Sequence, residues 1–301
     1  MNLGTIFSLS TLLNTVNTST IVILAALGCL MTDQAGIMCI GIDGMIIIGA
    51  FAGAMGSWLC GSWVMGLVFA LAAGLLSGLF YGVLVIRYHS DEFIIGVAFN
   101  LFAQALTTFL LRTLIGQSGS FHPTTGEVVK IPVLQLGRVG DTQVQISIMV
   151  LLAWFLVLAM WVFLYKTPQG FWLHASGEHP ESLRSVGRSP EKQRYFASLG
   201  CGLLCTLAGA YLSMGYLSTF TENMSASKGY VAVACVIFGR SNPLIVFFAT
   251  LLFGFIEAAG LRMQGFIDPT LTATFPYVGT ILMMVFLALR QRTRRGHRAA
   301  K

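Results

Sequence analysis

Apolar runs long enough to cross a bilayer limit this chain more than any other feature. Reading for stretches unbroken by charge gives nine segments. They run Ser8 to Met31, Gly36 to Leu59, Trp63 to Ile86, Phe93 to Leu114 and Ile146 to Tyr165, then Phe196 to Leu217, Gly229 to Gly239, Pro243 to Leu261 and Phe275 to Leu289. A helix needs about 20 apolar residues to span hydrocarbon, and most of these runs reach it. Only 10% of the 301 residues are Asp, Glu, Lys or Arg, where a soluble domain carries about a quarter. So few charges cannot coat a soluble core of this size. The expected fold is all-α: a polytopic membrane helix bundle of about 8–10 transmembrane segments, a single domain over residues 1–301. Gly229 to Gly239 is too short to span alone, so it reads as a broken or re-entrant helix among its neighbours.

Lys and Arg in short loops set the orientation. The tail RQRTRRGHRAAK, residues 290–301, holds six of them and the loop from Lys166 to Arg194 holds five. Both are expected on the cytoplasmic side, provided the short Gly229 segment counts as a crossing. That distribution accounts for the net charge of +6 without nucleic acid. No basic n-region of a cleavable signal opens the chain. The six cysteines form no CxxC pair and no Cys/His cluster with metal spacing. Cys201 and Cys205 share a helix face and read as small packing residues. Gly49 and Gly53, like Gly74, Gly78 and Gly82, recur at the four-residue spacing that lets helices approach closely in lipid. A loose internal likeness links GIMCIGIDGM with GYVAVACVIFGR, each a short Gly-flanked apolar piece; broken helices of this kind line transporter sites.

Chemistry is scarce. No phosphate loop, HExxH, nucleophile elbow or paired-carboxylate constellation occurs, and no segment between crossings is long enough for a soluble catalytic domain. A passive membrane chain then uses an ion gradient or a separate motor. The charges concentrate in one place: residues 166–195 carry eight of them. There Pro180 suits a first helical position, Glu181 favours the positive helix end, and Gly187 is a stop, which predicts a helix of about two turns. Ser189 and Pro190 then restart helix into the next crossing. A short helix held between two spans is a lever, although an ordinary solvated hairpin fits the same residues.

The residues of that loop carry a family likeness. From Thr167 to Ala210 the chain reads TPQGFWLHASGEHPESLRSVGRSPEKQRYFASLGCGLLCTLAGA. This resembles the coupling-loop region of bacterial ATP-binding-cassette (ABC) importer permeases of the branch serving branched-chain amino acids, ribose-like sugars and nucleosides. Thr167, Gly170, Ala175, Gly177, Pro180, Glu181, Gly187 and Arg194 match, as does the Ala208-Gly209-Ala210 end. Gly41 to Ser57 and Ser227 to Pro243 look like the same branch, in its nucleoside and simple-sugar part. Ser182 and Leu183 stand where the family has two alanines, and Arg188 where an apolar residue is common. The resemblance implies a non-catalytic permease in the bacterial cytoplasmic (inner) membrane, with its C-terminus inside and no cofactor of its own. It also implies partners: a cytoplasmic ATPase holding ATP and Mg, a second homologous permease in a heterodimer, and an extracytoplasmic binding protein. The ATPase contact would fall on Gly177, Glu178, His179, Pro180, Glu181, Ser185 and Gly187.

Polar groups inside spans are costly and face a cavity or each other. Asn100 and Gln104 lie one turn apart in the fourth crossing, Glu257 is a carboxylate well inside a span, and Asp43 sits near the broken part of the second. Each is a pathway candidate or a bond across the bundle, and for Asp43 the reading favours stabilising the broken backbone. Phe51 is a candidate for stacking on a base; no metal site is expected. Two rival classes remain. An ion-coupled secondary transporter would need a relay of buried carboxylates or histidines, and a lipid-modifying enzyme would need a catalytic cluster at the interface.

Overall fold

A computed structural model describes residues 9–116, 119–121, 128–139 and 142–263, and every structural statement below concerns these alone. Phe275 to Leu289 and the basic tail 290–301 lie outside them. In chain order the elements are α1 (Leu9–Gln34), α2 (Ile42–Cys60), α3 (Trp63–Gly82, extended by a π turn, Val83–Arg87) and α4 (Glu92–Ile115). A hairpin of β1 (Val133–Val139) and β2 (Thr142–Ser147) follows, then α5 (Ile148–Lys166), α6 (Pro168–Glu178) and α7 (Pro180–Ser185). Last come α8 (Pro190–Tyr211, extended by a π turn, Leu212–Tyr216), α9 (Lys228–Gly239) and α10 (Pro243–Met263).

Seven of these helices are long and apolar enough to cross a membrane, and α9, with 12 residues, is a shorter apolar helix. The apolar runs located them because each run holds enough hydrocarbon to satisfy lipid while its backbone bonds close internally. Their ends follow local chemistry. Asp91 opens α4 by accepting from the Phe93 and Ile94 amides at 2.9 and 3.1 Å, and Gly116 closes it at φ 71°. The sixth crossing starts earlier than its apolar run, at Pro190 instead of Phe196, because the polar first turns of α8 extend it toward the loop.

α8 is the axis of the bundle. Gly28 of α1 meets Cys201 and Cys205, Gly53 of α2 meets Ala210, and Gly78 of α3 meets Ser198. A Cβ on Gly209 would collide with the Ile46 carbonyl of α2, and one on Gly202 with the Gly74 carbonyl of α3. Without a hydrophobic force between helices in lipid, such backbone approach supplies the association through dispersion contacts. The cysteines are part of this packing: Cys201 and Cys205 are buried, with sulfurs 3.8 Å apart.

The bundle has two distinct ends. At one, the backbones of Gly36 and Gly177 touch, and Gln34 donates to the Ser241 carbonyl at 3.0 Å. The charged loop, the end of α1 and the α9–α10 turn therefore share that end. At the other, the Ile131 amide reaches the Met214 carbonyl (3.3 Å) beside the hairpin, and Ser120 bridges Thr221. The chain from Thr221 through α9 thus runs from the hairpin end to the charged-loop end, the passage that the orientation argument required. The hairpin itself was not expected. Its strands pair antiparallel, Val133 opposite Ser147, with a bulge between Gln135 and Gly137.

Candidate functional site: two interrupted helices and a charged handle

α1 ends at Gln34, yet α2 does not begin until Ile42, and the residues between them are turn and non-helical chain, with Ala35, Ile37, Cys39 and Gly41 buried. The second crossing was expected from Gly36 with a broken part near Asp43; the unwound stretch from Gly36, at φ 76°, sets the helical start at Ile42. α9 likewise begins inside the bundle, after Ala226 and Ser227 at φ 45° and 63°. Each of these helix starts lacks a side-chain cap of its own. The caps come from elsewhere. Asn100 of α4 accepts from the Gly44 amide at 2.7 Å, donates to the Ile40 carbonyl at 3.0 Å and donates to the Tyr230 hydroxyl at 3.0 Å. Asp43 of α2 accepts from the Gly229 amide at 3.0 Å and from the Ser225 hydroxyl at 2.9 Å. Orphan amides at a helix start are thereby satisfied across the fold, and the carboxylate sits where the α9 dipole favours it.

Three of the sequence candidates therefore converge, since α9 opens with Lys228, whose ammonium pairs with Glu257 of α10. Gln104 lies one turn along α4 from Asn100, partly exposed. Phe51 is elsewhere. Its buried ring stands edge-on to Phe220, centroids 5.4 Å apart, in a plug toward the hairpin end. That plug also seats Phe121 edge-on to Trp58 at 5.5 Å, and the Phe121 amide donates to the Phe220 carbonyl at 2.7 Å. Sequence reading missed Tyr230, Ser225 and Lys228. Tyr230 is 44% exposed although its hydroxyl is tied to Asn100. Only its place one residue past Gly229 hinted at it.

The charged loop is two helices. α7 begins on Pro180 and ends before Gly187, which takes φ 77°. At six residues it is shorter than two full turns. Leu183 is buried and anchors it, while Glu181, Ser182, Ser185 and Val186 are exposed. Arg184 pairs with Glu181 at 3.2 Å and Glu191 at 2.7 Å, so α7 is braced onto the start of α8. Arg188, the family departure, lies 4.0 Å over the Trp172 ring. Ser189 occupies the cap position of α8 but makes no side-chain cap bond. Before α7 runs α6, which was read as loop; Thr167 caps it by accepting from the Gly170 amide at 3.3 Å. Gly177 ends against Gly36, Glu178 lies 3.3 Å from His174, and His179 is the hinge between α6 and α7. Among the described residues no group of three His, Cys, Asp or Glu side chains is arranged to hold a metal ion.

Residues 11–298 match the family described as the branched-chain amino acid transport system permease component. The guanosine ABC transporter permease protein NupQ of Bacillus subtilis is 30% identical, over 79% of this chain and 78% of its own length. The nucleoside ABC transporter permease protein NupC of Lactococcus lactis is 28% identical, over 88% of each. A Haloferax volcanii protein provisionally named as a glucose ABC transporter permease, TsgC13, is also 28% identical, over 92% of this chain and 91% of its own. No solved structure matches. With seven membrane-length helices and a match over nearly its whole length, this multi-pass chain belongs to the branched-chain and ribose-like ABC permease family, in its nucleoside and sugar branch.

Proposed function

We propose that this chain is the translocating subunit of an ATP-driven importer in the bacterial inner membrane, with nucleosides as first cargo and a simple sugar such as a pentose as second. One observation carries the reading. A braced helical handle, α6 and α7, projects Glu181, Ser182, Ser185 and Val186 at the same end of the bundle as both the start of α8 and the end of the interrupted α9. A hydrolytic motor needs such a grip. In this reading a separate cytoplasmic ATPase binds ATP and Mg and seats residues Gly177 to Gly187. By its Lys and Arg content the basic tail, residues 290–301, is assigned to the cytoplasmic side in the same reading. A second, homologous permease completes the membrane portion, and a binding protein delivers solute at the hairpin end.

The solute passes along the face where α9 begins. Tyr230, Glu257 and Gln104 are partly exposed polar or aromatic groups around that start, while Asn100 and Asp43 hold the backbone. Hydroxyl, amide and carboxylate groups pair with the hydroxyls and amides of a nucleoside or sugar. The test is uptake of labelled guanosine and glucose by the chain reconstituted in liposomes with its genomic neighbours. Nucleoside uptake that stops when the partner ATPase is catalytically dead is the expected result. Uptake at full rate with the dead ATPase would replace the motor with an ion gradient.

A further inference from the structure

The handle is joined by the chain to two membrane helices only, α5 through Thr167 and α8 through Gly187 to Ser189. α9, whose start forms the midpoint of the bundle, is far from it in sequence. One side chain closes that gap. Gln34, the last residue of α1, sits between His174 of α6 and Ser241 after α9. Its amide nitrogen donates to the Ser241 carbonyl at 3.0 Å, and its amide oxygen meets His174 Nδ1. An amide oxygen only accepts, so Nδ1 carries the proton.

Neighbouring contacts brace the same junction. Asp33 pairs with the Ser241 hydroxyl, and Glu178 lies 3.3 Å from the other ring nitrogen of His174. The Gly36 and Gly177 backbones touch, with no room for a Cβ on Gly177 beside the Gln34 carbonyl. A cleft of about 330 Å³ lined by Asp33, His174, Glu178 and Arg240 opens alongside, so these bonds are made next to water. Each is individually modest there, and Gln34 is the residue common to both sides.

We infer that Gln34 is a positioning residue for transport: it locks α6 to the end of α9, so that a push on the handle is delivered to the far end of α9. This rests on the coupling role proposed above. The rest of the path is one helix. A 12-residue helix spans about 18 Å at 1.5 Å per residue, and its opening residues are pinned by Asp43. Displacement at Ser241 therefore arrives at Gly229 and Tyr230.

Two measurements test this on the assembled complex. The first reads solute imported per ATP hydrolysed. Gln34→Leu removes both hydrogen bonds and lowers that ratio about tenfold, and Gln34→Glu, which keeps the acceptor toward His174 but not the donor to Ser241, falls between. A merely structural defect lowers uptake and hydrolysis together and leaves the ratio alone, which would overturn the inference. The second places spin labels on Glu178→Cys and Arg240→Cys, with Cys60→Ser, and compares nucleotide-free and vanadate-trapped states. A constant distance across the two states supports a locked pair; a distance that changes refutes it. Wild-type uptake without ATP hydrolysis removes the importer reading itself, whereas a coupled wild type with an unaltered ratio in Gln34→Leu removes the role of Gln34 alone.

Discussion

Asn100 is the residue whose replacement separates a solute-binding role from a scaffold role. Its side chain makes three bonds, to the Gly44 amide, the Ile40 carbonyl and the Tyr230 hydroxyl. In Asn100→Leu the Gly44 amide is left buried and the Ile40 carbonyl part-buried, both unpaired. An unsatisfied buried group costs about 1–3 kcal/mol in a soluble core, which would place the upper bound near 6 kcal/mol. Two effects pull the figure down. Hydrogen bonds between membrane helices average about 0.6 kcal/mol, because unfolded segments in lipid also find partners. The orphaned groups are moreover backbone groups of an interrupted helix, and rewinding lets them pair along the chain. The expected loss is therefore about 2–3 kcal/mol. Tyr230→Phe removes only one bond, at a partly exposed hydroxyl, and should cost about 0.6 kcal/mol.

Reversible unfolding of the purified permease by SDS in mixed micelles, followed by helical circular dichroism, gives both numbers. Uptake kinetics in liposomes give the second half of the test. A destabilised Asn100→Leu with unaltered KM in the surviving complex fits the scaffold. A variant within about 0.5 kcal/mol of wild type but with a raised KM would refute the reasoning and make Asn100 a solute ligand.

Two further outcomes follow from other parts of the fold. Gly209→Ala drives a methyl into the Ile46 carbonyl and should cost about 3 kcal/mol, while Gly61→Ala, which meets nothing within 4 Å, should cost only the strain of its φ of 61°, about 1 kcal/mol; the same SDS unfolding separates them. Glu181→Arg places a cation beside Arg184 on exposed α7 and should abolish ATP-driven uptake in liposomes while leaving the permease's circular dichroism spectrum intact; normal uptake would take α7 out of the mechanism.

The parts of this fold that sequence reading reached depend on local chemistry, and the parts it missed depend on distant partners. Apolar length located the crossings from α1 to α10 because lipid imposes a length rule on every helix separately. Pro180 and Gly187 bounded α7 because a fixed φ and a left-handed φ act within one turn. α6 was legible in principle from Thr167 and Pro168, but Gly170 and Gly177 lowered its helical propensity and no apolar period announced it. The alternation in TQVQIS was likewise a strand signal hidden among long apolar runs. The break before α2 was legible in its glycines, Gly36 and Gly41, but the group that holds it was not: an amide oxygen on Asn100, 56 residues beyond Gly44, takes the Gly44 amide. The Asp43–Gly229 bond spans 186 residues, and no pattern short of the folded bundle brings those two together.

That dependence has a mechanical consequence. A helix capped by its own neighbours keeps its start when the helices around it move. α2 and α9 are capped across the bundle, α2 by α4 and α9 by α2, so a shift of α4 or α2 alters where each helix begins. Winding one more turn of α2 would take up the Ile40 carbonyl, release Asn100 and free the Tyr230 hydroxyl together. The energies at stake, a few hydrogen bonds at about 0.6 kcal/mol each, are small against the push that the proposed nucleotide-driven motor would deliver. They are large enough to hold one arrangement at rest. The costly left-handed residues before α9, Ala226 and Ser227, persist for the same reason: the Asp43 cap holds the backbone around them only while the helices stay in this arrangement. Under the proposed coupling, an interruption held in this way is the element that a handle at the other end of α9 would switch.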